Sequence, residues 1–190
     1  MGLFDKKLQY TKDYRTDTVT DEKGREHKKY TYIGPLIPFI TDAKTVKKKF
    51  IITAVLTVIL VVCLIITEGL EHGSAWFALV SIPLAVALFP TLYLIMGVCT
   101  LQYNGDRMRR DRYEHSYVRV LKSCAGIIPC VGVGLIADFV YRFMYKDWLF
   151  LKEDILFYVM VVIVLTAAVA IVLIVRSVEV DERQLLLGAK

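Results

Sequence analysis

Asp138 is the residue of this sequence with the clearest potential for chemistry, because it interrupts the apolar stretch GIIPCVGVGLIADFVYR at residues 126–142. A carboxylate within such a stretch can bind a proton or a cation, or it can pair with a base. Arg142 follows four residues later, which is about one helical turn. Two interpretations therefore remain open. One is a structural ion pair near a membrane boundary, and the other is a substrate or proton site.

The other reactive residue types do not form a recognisable site in the sequence. Cys124 and Cys130 are spaced so that they lie on opposite sides of a helix, which favours packing residues over a redox pair. The three histidines are isolated, so we predict no metal site and no cofactor. No nucleotide-binding or nucleophile motif is present. These observations favour a protein that is not an enzyme.

Long apolar blocks dominate the 190-residue chain, which is 56% hydrophobic. Four runs without charge contain about 18, 33, 15 and 21 residues, and a helix needs about 20 to cross a bilayer. We therefore predict an all-α integral membrane protein, a four-helix bundle with transmembrane helices at about 50–68, 76–100, 119–142 and 155–176. The third run is short enough to be a buried or re-entrant segment instead. The second contains Pro83 and Pro90, which leaves two half-spans as the alternative to one kinked helix.

The basic residues predict the orientation. Most of the 24 lysines and arginines lie in residues 1–49, in 101–122 and in the tail 177–190, whereas 68–75 contains none. The positive-inside rule then places both termini in the cytoplasm. We expect a multi-pass protein of the plasma membrane.

Two clusters of basic residues are expected at the inner face, where they can meet anionic lipid headgroups. They are Lys44, Lys47, Lys48 and Lys49, and Arg107, Arg109, Arg110 and Arg112. The alternative is that these charges only fix the topology. The expected partners are the lipid bilayer and either further copies of the chain or another membrane protein. Nucleic acid is not expected.

The N-terminal segment 1–49 contains two stretches rich in Tyr, Thr and Val, which favour strands around a turn at Gly24. A β-hairpin over residues 8–34 is one interpretation, and a disordered basic arm is the other. A lone hairpin is marginal in water, so it must pack on another surface, such as the 101–122 loop. Thr41 or Asp42, Ser74 and Asp154 are candidate caps for the first, second and fourth helices.

Small residues recur along one face of the third helix. Gly126, Cys130 and Gly134 are the central members of a stripe that also contains Ser123, Ala137 and Asp138. Such a stripe lets another helix approach closely. We therefore expect this face to be the packed one and Ile127, Val131 and Leu135 to lie on a different face.

These patterns support two functions. The first is a non-enzymatic scaffold, accessory or partner-binding module of the membrane. The second is a small oligomeric transporter or channel that uses Asp138 and the proline-kinked helices. We prefer the first, because Asp138 is the one acid well inside a predicted span and a coupled pore generally contains more.

Overall fold

Four long helices form most of the protein. The computed structural model describes residues 14–20, 26–34, 36–101, 107–145 and 152–180. Within these residues the helices are α1 (Ala43–Gly69), α2 (Ala78–Cys99), α3 (Arg110–Tyr145) and α4 (Lys152–Arg176). Each is long and apolar enough to cross a membrane. The expectation of a mostly helical chain with four candidate membrane spans is therefore confirmed.

Two small antiparallel sheets complete the described structure. Strands β1 (Tyr14–Thr20) and β2 (Glu26–Tyr32) form a hairpin in which Tyr14 pairs with Tyr32. Strand β3 (Leu36–Pro38) pairs with β4 (Arg107–Arg109), immediately before α3. The predicted hairpin at 8–34 is thus present over its strands. Residues 8–13 and 21–25 of that prediction lie outside the described residues.

The helices form a ring in which neighbours along the chain are antiparallel. The most extensive contacts are between α2 and α3 and between α1 and α4, with α3 against α4 and α1 against α2 closing the ring. The two terminal segments meet at one end, where the Ile40 amide donates to the Glu179 carbonyl at 3.0 Å. We call this the termini end, and we call the opposite end, which contains residues 70–77, the loop end.

The outward faces of the helices are as apolar as the core. Val58, Phe89 and Leu173 are each more than 60% exposed on the isolated chain, whereas Phe50, Leu94 and Ile171 are completely buried between the helices. A helix that is apolar all round belongs in the core of a large protein or in a membrane. Four such helices around one small core fit a bilayer, where hydrocarbon covers the outer side chains.

Both doubtful apolar runs form continuous helices. Helix α2 passes through Pro83 and Pro90 without a break, so it is one span and not two half-spans. Helix α3 contains a π-helical turn at Glu114–Val118 and then runs as α-helix through Pro129 to Tyr145. The structure thus has no re-entrant segment within the third apolar run.

The predicted helix caps have different outcomes. Asp42 does cap α1, because its carboxylate accepts a hydrogen bond from the Lys44 amide at 3.2 Å. The prediction that Ser74 caps α2 is wrong, since α2 begins after Phe77 and lacks a side-chain cap. The Ser74 hydroxyl instead donates to Asp138. Asp154 is not the cap of α4 but lies within its first turn. A carboxylate there interacts favourably with the positive end of the helix dipole.

The hairpin packs on the start of α3. The Tyr14 hydroxyl donates to Asp111 at 2.5 Å, and the Arg110 amide donates to the Tyr32 hydroxyl at 3.1 Å. The Arg109 guanidinium lies 5.2 Å from the centroid of the Tyr32 ring. The hydrogen bond to Asp111, and then burial, raise the pKa of Tyr14 above its ordinary value. The hairpin therefore has the packing surface that a two-stranded sheet requires.

Glycines allow α2 and α3 to approach closely. A Cβ atom on Gly126 would lie 3.2 Å from Cβ of Pro90, and one on Gly134 would lie 3.0 Å from Cγ of Leu84. Cys130, the other central member of the predicted stripe, is half-buried. The stripe thus lies along the contact with α2.

The packed surface of α3 is wider than this stripe. Ile127 and Val131 lie on a different face, as expected, and they are also completely buried. The reason is that α3 packs against α4 as well as α2. Its buried surface is therefore wider than the stripe, and it carries large apolar side chains toward the centre of the ring.

Replacing Gly134 should destabilise the bundle. A leucine there would overlap Leu84 and approach the Val80 carbonyl, and overpacking of this kind costs about 1–3 kcal/mol. Gly132→Leu is the matched control, because a Cβ atom at Gly132 meets nothing within 4 Å. Thermal unfolding in detergent should show a lower midpoint for Gly134→Leu than for Gly132→Leu. Equal midpoints would contradict the close approach of α2 and α3 at this position.

Candidate functional site

A buried cluster of charges at the loop end is the main concentration of polar side chains among the described helices. Arg142 of α3 lies between two carboxylates. Its Nε atom is 3.2 Å from Asp138 Oδ2, and its Nη2 atom is 2.6 Å from Asp154 Oδ1. Asp138 is 0% exposed, and Arg142 and Asp154 are each 1% exposed. The three charges are therefore buried inside the protein, not at its surface.

Asp138 accepts hydrogen bonds from three different elements. The donors are Arg142 on its own helix, the Ser74 hydroxyl from the loop before α2, and the Tyr158 hydroxyl from α4. An ionised carboxylate can only accept hydrogen bonds, and its two oxygens offer about four sites. Three donors therefore match the ionised form of Asp138.

Asp154 connects the same cluster to the backbone of the loop. Its Oδ1 atom accepts from Arg142 and also from the Gly73 amide at 3.0 Å. Nearby, the His72 ring stacks on Phe157 with 4.0 Å between the centroids, and its Nδ1 atom lies 3.0 Å from the Leu70 carbonyl oxygen. The loop, α3 and α4 are thus fastened together around Arg142.

The sequence predicted two members of this cluster. Asp138 and Arg142 do form the expected pair one turn apart. Both side chains are buried between the helices. Ser74, Asp154 and Tyr158 were not predicted as its partners. Asp154 and Tyr158 are themselves one turn apart on α4, which is the signal in the sequence that could have indicated a polar face opposite Asp138.

This arrangement can hold charge but offers little room for a ligand. Two carboxylates and one guanidinium leave a net charge of about −1 if all are ionised, and six hydrogen bonds of the cluster come from the protein itself. Asp138 and Arg142 line neither of the two grooves that lie between α2 and α3. The chemistry best matched to such a site is structural ion pairing.

The predicted basic residues come together at the termini end. Lys44, Lys47 and Lys48 of α1 are exposed, as are Arg107 and Arg112 near the start of α3. The remaining three are half-buried. Lys49 Nζ donates to the Ser177 carbonyl at 2.8 Å. Arg109 lies 3.8 Å from Asp111, and Arg110 is half-buried beneath the hairpin.

Two grooves separate α2 from α3 on the outer surface of the ring. The larger, of about 720 Å³, lies toward the termini end and contains both aromatic and charged side chains. The smaller, of about 340 Å³, lies toward the loop end and is lined by apolar residues such as Phe77, Ile82 and Val140. Sequence reasoning did not find either groove, because each is formed by two helices.

Comparisons with protein-family models, with curated proteins and with solved structures found no match. Within the described residues, no group of three His, Cys, Asp or Glu side chains is placed to hold a metal ion.

Arg142 should be the most sensitive residue of the cluster. Arg142→Gln would leave two buried carboxylates without their cation, and breaking a buried pair in this way costs about 3–5 kcal/mol. We expect a large fall in the free energy of unfolding, measured by denaturant titration in detergent. Arg142→Gln/Asp154→Asn should recover part of the loss, because it removes one of the two stranded charges.

Arg176→Gln is the control for loss of a positive charge, since Arg176 is exposed at the end of α4. If the Arg142→Gln protein is as stable as the Arg176→Gln protein, the buried cluster does not stabilise the fold.

Proposed function

We propose that this protein is a non-enzymatic membrane module, a scaffold or accessory protein whose termini end lies in the cytoplasm and binds anionic lipid headgroups. The bilayer and its anionic lipids are the first partners. A further copy of the chain or another membrane protein would bind beside them.

One observation carries this proposal. Lys44, Lys47 and Lys48 are all exposed at the start of α1. Their spacing of three and four residues places them on one face of the helix. They form a continuous basic surface, and we call these three residues the α1 lysine face.

The position of the α1 lysine face suits a lipid surface. The apolar part of α1 begins at Phe50, within one turn of Lys48. If α1 crosses the bilayer, the three ammonium groups lie at the depth of the headgroups. Each basic residue near an anionic membrane surface contributes about 1 kcal/mol of attraction. The positive-inside rule assigns this end to the cytoplasm.

The loop end supports a structural role rather than transport. A proton- or cation-coupled transporter would use Asp138, the acid within the apolar part of α3. In this protein Asp138 accepts from Ser74, Tyr158 and Arg142. A substrate would have to displace these donors, which would disrupt the contacts between the loop before α2, α3 and α4. The proposal that Asp138 is structural requires no such change.

Neutralising the α1 lysine face should reduce the preference for anionic lipid. Lys48→Gln removes one exposed charge and should weaken binding about five-fold, and the triple variant Lys44→Gln/Lys47→Gln/Lys48→Gln should weaken it about one hundred-fold. The measurement is the ratio of phosphatidylglycerol to phosphatidylcholine retained in nanodiscs assembled from an equal mixture.

Lys49→Gln is the matched control. It removes the same charge from the next position of the helix, but its ammonium group already donates to the Ser177 carbonyl. The lipid ratio should therefore change less than for Lys48→Gln. If the triple variant retains the same ratio as the unaltered protein, these lysines serve only to orient the first span.

The transporter or channel alternative has a direct test in liposomes. We expect vesicles containing the purified protein to release protons and monovalent cations no faster than protein-free vesicles, because Asp138 is held by its neighbours. Asp138→Asn is the informative variant, since it keeps the size of the side chain. Ion flux that the unaltered protein supports and a folded Asp138→Asn protein lacks would favour the transporter.

A further inference from the structure

We propose that the larger groove between α2 and α3 binds one phospholipid molecule with a net negative charge. Its wall on α2 contains Phe89 and Tyr93, and its wall on α3 contains Val118, Arg119 and Lys122. The inference rests on the proposed membrane orientation, with this groove near the cytoplasmic surface. It concerns a single bound lipid and not the exposed α1 lysine face.

Three donors converge on the groove from α3. Arg119 and Lys122 are three residues apart and share a face of the helix. Lys122 is exposed and makes no hydrogen bond or ion pair with any described residue. The Ser123 hydroxyl likewise has no acceptor among the described residues. Ammonium, guanidinium and hydroxyl groups are the donors that a phosphate requires.

Arg119 is held in place for this role. Its guanidinium lies 5.8 Å from the centroid of the Tyr93 ring, and its Nη2 atom is 3.2 Å from Nδ1 of His115. These contacts leave other N–H groups of the guanidinium, which carries five in all. A cation fixed at the edge of the groove loses less side-chain entropy on binding than a fully mobile one.

The remainder of the groove suits hydrocarbon. Phe89 is 69% exposed and Tyr93 is 59% exposed on the isolated chain, and both face the outside of the ring. Phe89 lies about 15 Å along the helix from Cys99, the last residue of α2. The groove thus extends from the charged end of α3 to about half the depth of a hydrocarbon layer, which is about 30 Å thick. A headgroup at the donors would place its acyl chains on the aromatic wall.

The shape of the groove has a local cause in both helices. Gly126 of α3 lies against Pro90 of α2, which brings the backbones together at the inner limit of the groove. Closer to the termini end, α3 contains a π-helical turn at Glu114–Val118. This turn has one residue more than an α-helical turn, so the helix is wider there. Such turns occur mostly as single insertions and frequently at functional sites.

The charge of the groove selects the class of lipid. Among the described residues its lining contains two cations, Arg119 and Lys122, and one carboxylate, Glu114. A phosphodiester lipid with one net negative charge, such as phosphatidylglycerol, would neutralise the remaining positive charge. Phosphatidylcholine would leave that charge in place. An apolar helix of another protein would cover the aromatic wall of the groove but would offer no negative charge to Lys122.

The test is a titration of the purified full-length protein in detergent with phosphatidylglycerol or phosphatidylcholine, read by native mass spectrometry. We expect one phosphatidylglycerol to bind at least ten-fold more tightly than phosphatidylcholine. Lys122→Gln should weaken that binding about five-fold, and Arg119→Gln/Lys122→Gln about thirty-fold. Val118→Trp should block the groove without a change of charge, which provides a second variant if the double variant folds poorly.

Lys44→Gln/Lys47→Gln removes two charges outside the groove and is the control for the double variant. It should leave the single tight lipid bound. Equal affinity for the two lipids would overturn the proposal, as would tight binding that survives in both the folded Lys122→Gln and the folded Val118→Trp proteins. Displacement of the lipid by millimolar inorganic phosphate would also overturn it, because the site would then recognise a free anion.

The two lipid proposals can fail separately. Loss of lipid preference in the α1 lysine variants alone would support the proposed function and reject the groove. Loss of the single tight lipid in the groove variants alone would support the groove and reject the lysines as a lipid-binding surface.

Discussion

The Arg142 guanidinium, buried between Asp138 and Asp154, is the interaction on which the loop end depends. Removing an ion from water costs several kcal/mol, and the attraction between partners offsets this cost only when the remaining polar atoms are also satisfied. Ser74 and the Gly73 amide supply hydrogen bonds from the loop before α2. The loop and two helices must therefore meet in one arrangement, because any separation would leave a charge buried without its partner.

The termini end is held together by a different device. The Tyr117 hydroxyl donates to the Val175 carbonyl at 2.8 Å, so a side chain of α3 satisfies the backbone near the end of α4. Lys49 of α1 does the same for the Ser177 carbonyl, just after the end of α4. The Val175 carbonyl also accepts from the Val178 amide at 3.1 Å, so these side-chain donors add to the backbone hydrogen bonds at the end of the helix. The acceptors in these contacts are neutral carbonyls, and Lys49 is the basic side chain among their donors. Most of the other basic side chains of this end are exposed.

Local features of the sequence predicted much of the fold. Contacts between residues far apart in the sequence could not be predicted from it. Run length alone indicates four spans, and the spacing of Asp138 and Arg142 indicates their pairing, because one helix fixes both. The Ser74–Asp138 hydrogen bond joins residues 64 positions apart, and the choice between capping α2 and binding Asp138 depends on how the helices pack. For the same reason the buried positions of Ile127 and Val131 became evident only with α4 beside α3.

The two ends of the molecule treat charge in opposite ways, and this difference bears on function. At the loop end opposite charges are paired inside the protein, so an external ligand would compete with contacts that maintain the fold. At the termini end Lys44, Lys47, Lys48 and Lys122 are exposed, and a negatively charged surface would attract them. Anionic lipid supplies that surface at the depth where these side chains lie if the helices cross a bilayer. Binding there requires no rearrangement of the fold, which is why the basic end is the better candidate for the working surface of the protein.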